Sequence, residues 1–116
     1  MNHLKVGRKF GRKRGERKAF FKGLAGNLIK KGKIETTEAR AKEIKPIVER
    51  MVTTAKKQNL ASFKRLISKL DKASAEKLYY EVAPKYKNRA GGYLRIIKLG
   101  EFRKRDAGKK ALIEFV

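Results

Sequence analysis

The sequence predicts an α+β fold in two layers. Helices pack on one face of a small three-stranded mixed sheet, in the order α-β-α-α-α-β-β, and an extended basic N-terminal arm precedes them. Three observations lead there. Between about residues 16 and 82, apolar residues recur mostly at helical spacing, the mark of helices that bury one stripe. Short β-branched or alternating runs stand near residue 34 and over 93–99 and 111–116, the two-residue period of strands. The first eighteen residues show neither period.

Those eighteen residues carry Lys5, Arg8, Lys9, Arg12, Lys13, Arg14, Arg17 and Lys18 against one acid, Glu16. Met1, Leu4, Val6 and Phe10 are the only sizeable apolar side chains, and Gly7, Gly11 and Gly15 recur every four residues. A segment that can bury so little apolar surface does not offset its ordering entropy. Residues 1–18 are therefore expected to be a flexible arm, organised only where a polyanion neutralises it. Residues 19–116 form the expected single globular domain, long enough for a modest core.

Phe20, Phe21, Leu24, Ala25, Leu28 and Ile29 predict a first helix over about 16–31, with Gly32 as a left-handed cap. Gly23 and Gly26 each cost about 1 kcal/mol relative to alanine inside it. Either a close backbone approach compensates or the helix is merely weak. Lys33 to Thr37 reads as a short strand, and Thr36 or Thr37 as the cap of a second helix over about 37–57. Its stripe runs through Ile44, Ile47, Val48, Met51, Val52 and Ala55, and Pro46 lies inside it. The reading favoured is a continuous, bent helix; the other is a break at the proline. Gln58-Asn59 ends the pattern. Leu60, Phe63, Leu66, Ile67 and Leu70 give a third helix over about 60–70. Ser74 is a candidate cap for a fourth, which Pro84 ends. Tyr80 and Tyr86 are expected at the boundary of core and solvent. Residues 84–92 form a basic loop ending in Gly91-Gly92, and 100–110 a charged connection between two antiparallel strands.

The 116 residues hold 33 Lys and Arg against 11 Asp and Glu, a net charge of +22. The excess is +11 over residues 1–33, +4 over 34–83 and +7 over 84–116, so the two ends carry it. Such a charge opposes compaction and makes a polyanion the natural partner. RNA is favoured over DNA because no recognition helix with base-reading polar residues stands out, and arms suit irregular RNA folds. Cysteine is absent, which excludes disulfides and thiolate metal sites. No apolar run approaches the roughly 20 residues of a membrane span. The one histidine, His3, lies in the arm, where no rigid site holds it for acid–base work. Glu35, Glu38, Glu43 and Glu49 lack the Asp/Asn-rich loop of a calcium site, and the arm glycines match no phosphate-loop fingerprint. The chain reads as non-catalytic, with no metal, cofactor or small-molecule substrate. Gly91-Gly92 is either an approach to a phosphate backbone or a tight turn. Phe10, Tyr86 and Tyr93 sit among cations and are candidates to stack on bases, Phe10 first.

Asn2-His3, Gly7-Arg8-Lys9, Arg12, Arg17-Lys18-Ala19, Leu24-Ala25, Thr36-Thr37 and Ala41-Lys42-Glu43 are motifs of one kind. With Arg89-Ala90-Gly91-Gly92-Tyr93 and Arg95-Ile96, the chain resembles the bacterial L-seventeen family of large-subunit ribosomal proteins nearly end to end. The resemblance implies a structural protein bound to large-subunit ribosomal RNA near the exit side of the peptide tunnel, beside other ribosomal proteins, in the cytoplasm. It implies the same element order. It places His3, Arg8, Lys9, Arg12, Arg17 and Lys18 on RNA, with Arg89, Gly91, Gly92 and Arg95 as second-rank candidates; Arg95 has the alternative of supporting the turn. Lys5, Phe10, Lys13 and Arg14 join them as arm residues, and Lys22, Arg103, Lys104 and Arg105 on charge alone. The chain departs from the family at Lys13-Arg14-Gly15-Glu16, where relatives often carry hydroxyl residues and a histidine, and it ends at Val116 without the tail some carry. The rival readings are a nucleoid-type DNA-binding protein and a membrane-surface binder; no membrane partner is expected.

Overall fold

The computed structural model describes residues 14–102 and 108–116. The order is α1 (Arg14–Lys31), β1 (Lys33–Thr37), α2 (Glu38–Ala55), α3 (Leu60–Lys69), α4 (Lys72–Lys77), β2 (Leu94–Phe102) and β3 (Lys109–Phe115). A π turn (Leu78–Val82) and a 3-10 turn (Ala83–Tyr86) extend α4. The helices pack on one face of a sheet of order β1-β3-β2. Both seams are antiparallel, so the mixed pairing expected from sequence is not what forms. Strand period alone carries no direction, and β3 runs between the other two with opposite sense to each.

Helix α1 begins at Arg14, inside the segment expected to be an arm, so the division expected after residue 18 falls within it. Gly32 ends it at φ +79°, and its N–H donates to the Leu28 carbonyl at 2.8 Å, a left-handed cap that glycine adopts without strain. The Thr37 hydroxyl accepts from the Arg40 N–H and caps α2. That helix runs unbroken through Pro46, which is exposed, as is Lys42, whose carbonyl proline leaves without its helical N–H partner. Asn59 and Ser62 form a reciprocal capping box on α3.

The cap of α4 is Asp71, not Ser74. Ser74 sits three residues in, fully buried, its N–H donating to Asp71 Oδ2 at 3.2 Å and its hydroxyl to Oδ1 at 2.7 Å. These bonds, with Lys30 at 3.2 Å, hold the Asp71 carboxyl below its ordinary range. Pro84 does not end the helix abruptly as expected. Proline crowds the carbonyl four residues back, and the chain widens into the π turn before continuing to Tyr86. In that register the Tyr79 carbonyl would need an N–H from residue 84, which proline lacks. Gln58 Nε2 supplies it at 2.9 Å and also binds the Ala55 carbonyl at 2.8 Å. Gln58 holds a left-handed φ of +52° to do so.

The core joins Leu28 and Ile29 of α1 to Ile44, Val48 and Val52 of α2, Leu66 and Leu70, Leu78, Tyr93 and Ile113. In the sheet, Ile34, Ile113 and Ile96 form one inward rung. Strand β2 extends beyond the expected Leu99, through Gly100 at φ +71° and a shift of register, to Phe102.

Candidate nucleic-acid interface

His3, Lys5, Arg8, Lys9, Phe10, Arg12 and Lys13 lie outside the described residues, as do Arg103, Lys104 and Arg105 between β2 and β3. Arg14 opens α1. The remaining candidates occupy the leading half of α1, the loop before β2, and β2 itself.

On α1, Lys18 and Lys22 are exposed and Arg17 is half-buried. Phe20 and Phe21 are also half-buried, edge to face at 5.3 Å, and the Arg40 guanidinium lies 5.1 Å from the Phe20 ring centre, within cation–π range. The sealed stripe begins only at Ala25. The two glycines divide the alternatives between them. Gly26 is buried where α4 comes in, with Asp71 Oδ1 and Ser74 Oγ 2.9 and 3.0 Å from where a Cβ would stand. Gly23 has open space around it.

The loop Lys87 to Gly92 is exposed throughout, yet its backbone is braced. Arg89 N–H donates to the Tyr86 carbonyl at 3.0 Å and Arg89 Nε to the Gly91 carbonyl at 3.1 Å. Gly92 turns the chain at φ +63°. Beneath, Tyr93 is 1% exposed. Its hydroxyl donates to the Arg89 carbonyl at 3.3 Å and accepts from Lys56 Nζ at 3.0 Å, and Lys56 also donates to the Arg89 carbonyl. The Lys56 ammonium thereby draws the Tyr93 phenol below its ordinary range. Glu49 accepts from the Leu94 N–H at 3.3 Å. Tyr86, buried, donates to the Val116 carbonyl at 2.6 Å, and its burial pushes its phenol up.

Two expectations are corrected here. Tyr86 and Tyr93 are core residues, their rings 5.3 Å apart, and present no face for stacking. Arg95 braces two strands rather than the turn: its Nε and Nη2 donate to Glu114 Oε1 at 2.6 and 2.5 Å across the β2–β3 seam. Lys56 and Glu49, which hold the loop, were absent from the sequence-based set. They stand 37 and 45 residues from their partners, and nothing local distinguishes either from a solvated helix charge.

Among the described residues no group of three or more His, Asp or Glu could hold a metal ion. No helix among them is long and apolar enough to cross a membrane. Fold and surface together define a small helix-on-sheet protein whose cations mostly face water on α1 and the loop before β2. The family described as ribosomal protein L17 matches residues 20–116. The chain is 46% identical to the large ribosomal subunit protein bL17 of Thermodesulfovibrio yellowstonii, covering all of this chain and 87% of that one. It is 48% identical to the protein of the same name from a Sulfurihydrogenibium species, covering 100% and 97%, and 45% identical to that of Dictyoglomus turgidum, complete on both sides. The chain belongs to the ribosomal protein L17 family, whose members are structural and not enzymes.

Proposed function

We propose that the chain is a structural constituent of the large ribosomal subunit, in the cytoplasm, that binds and stabilises large-subunit ribosomal RNA and thereby supports translation. The observation that carries this reading is the full-length match to proteins named for the large subunit. Residues 1–18, the last five of which open α1, act as the basic arm that reaches into folded RNA, with His3, Lys5, Arg8, Lys9, Phe10, Arg12, Lys13, Arg14, Arg17 and Lys18 as its contacts. Lys22 continues that basic surface along α1. The braced loop offers Arg89 and the side-chain-free backbone of Gly91 and Gly92 to a phosphate, and Arg103 to Arg105 add a second basic tip. Arg95 has a carboxylate partner already, so its share is smaller. Each phosphate neutralised releases condensed counterions, which is how a chain of charge +22 gains by assembly what it loses to self-repulsion. Neighbouring ribosomal proteins are its other partners.

The test is sedimentation of the native protein in lysate, followed by binding of the purified chain to large-subunit ribosomal RNA and to duplex DNA at matched salt. Co-sedimentation with the large subunit and a preference for ribosomal RNA of at least tenfold are expected. Equal affinity for the two nucleic acids would favour a DNA-compacting protein instead.

A further inference from the structure

We infer that the groove between α2 and α3 is a further RNA contact, shaped to hold one unpaired nucleotide with its phosphate on Arg50, Arg65 and Lys69. This rests on the RNA-binding reading above and adds to it a site on α2 and α3, two helices that carry none of the candidates named so far.

The groove holds about 380 Å³, with Ile47, Met51 and Leu66 as its apolar floor, and Thr53, Thr54 and the three cations completing its lining. No carboxylate lines it. Elsewhere, several described cations have one at hand: Lys30 has Asp71, Lys42 and Lys98 share Glu38, Arg95 has Glu114 and Lys110 has Glu35. The side chains of Arg50, Arg65 and Lys69 form no hydrogen bond or ion pair among the described residues. Arg65 and Lys69 lie one turn apart on α3, and Leu66 between them turns into the core. Gathering three like charges over a concave, low-dielectric floor opposes folding and focuses a positive potential there. An anion from outside removes that cost.

The floor narrows the choice of anion. A free phosphate would meet the rim alone, whereas a nucleotide also lays a flat apolar face on Ile47, Met51 and Leu66, and Met adapts to irregular shapes. Guanidinium groups bind phosphate oxygens in bidentate fashion and stack on bases. The volume is at the low end of the roughly 300–1,000 Å³ of ligand clefts, room for a splayed-out nucleotide and not for a paired helix.

The experiment follows the methyl resonances of Ile47, Met51 and Leu66 in the full chain during titration with a 12-nucleotide single-stranded RNA of mixed sequence. The same titration is run with a 12-base-pair RNA duplex and with a 12-residue polyglutamate. The single strand is expected to shift these methyls at the lowest concentration. The combined variant Arg50→Gln/Arg65→Gln/Lys69→Gln keeps good helix formers at exposed positions, with circular dichroism as the check of folding. It is expected to lose about tenfold in affinity, its log–log salt slope falling by about 0.7, the share of one single-strand phosphate contact. A matched variant of equal charge, Lys57→Gln/Lys64→Gln/Lys72→Gln, is expected to keep its slope. Methyls that stay still while α1 resonances near Lys18 and Lys22 shift would overturn the groove site and leave the RNA reading standing. No shift anywhere would end both. Equal losses from the two variants, duplex binding as tight as the single strand's, or tighter binding of polyglutamate would each overturn the nucleotide assignment.

Discussion

Compare the two halves of α1. From Leu24 on, Ala25, Leu28 and Ile29 are sealed into the core, and Gly26 lets the start of α4 close against the helix backbone. Ahead of it, Phe20 and Phe21 are only half-buried, while Lys18 and Lys22 face water. Both halves are helical in the same hydrogen-bonded register, so the difference lies in what covers them. Packing holds the trailing half, and the leading half is free to offer its charge. The contrast teaches that one helix can be core along one half and open surface along the other.

The largest effect that would sharpen this contrast is at Leu28, fully buried. Leu28→Ala should cost about 3 kcal/mol, the transfer and cavity terms together, read as a lower midpoint in urea. Next come the two glycines, where alanine should act with opposite sign. Gly23→Ala meets nothing within 4 Å and should stabilise by about 1 kcal/mol through helix propensity. Gly26→Ala puts a methyl against Asp71 Oδ1 and Ser74 Oγ, disturbs the α4 cap, and should give a net loss of about 1 kcal/mol. Thermal melts of the pair decide it; the same sign at both positions would break the account of the joint. The smallest change in stability, within about 0.5 kcal/mol, is expected for Lys18→Gln/Lys22→Gln. That variant should nonetheless lower the salt slope of ribosomal RNA binding by about 1.4 to 1.8. A slope left intact would remove the leading half of α1 from the interface.

Much of this architecture was legible before any coordinates. Helical spacing marked α1 to α3 to within two residues, Gly32 announced the end of α1, and alternation marked β2 and β3. Where the reading failed, a distant partner decides. Asp71 and Ser74 are both good caps three residues apart, and only the burial of Ser74 against Gly26 selects between them. The π turn leaves a carbonyl that Pro84 cannot satisfy, and Gln58, twenty-one residues upstream, donates to it. Tyr86 and Tyr93 stand among cations as candidates to stack on bases, yet each rests in the core with its hydroxyl on a backbone carbonyl. Of the candidate site, the residue types could be read from the chain; Lys56 and Glu49, which hold the loop rigid, could not.

Strand β3 occupies the middle of the sheet, and Lys33 of β1 faces Glu114 of β3 across about 80 residues of intervening chain. During synthesis neither outer strand can find its neighbour until residues 109–115 have left the translating ribosome. Until then the chain has helices but no sheet to lay them on, and the apolar stripes that the sheet covers stay open. Contacts of such wide sequence separation also slow the search for the native state. A premature stop that removes only β3 would leave two unpaired edges and remove the sheet altogether, a far heavier loss than its seven residues suggest.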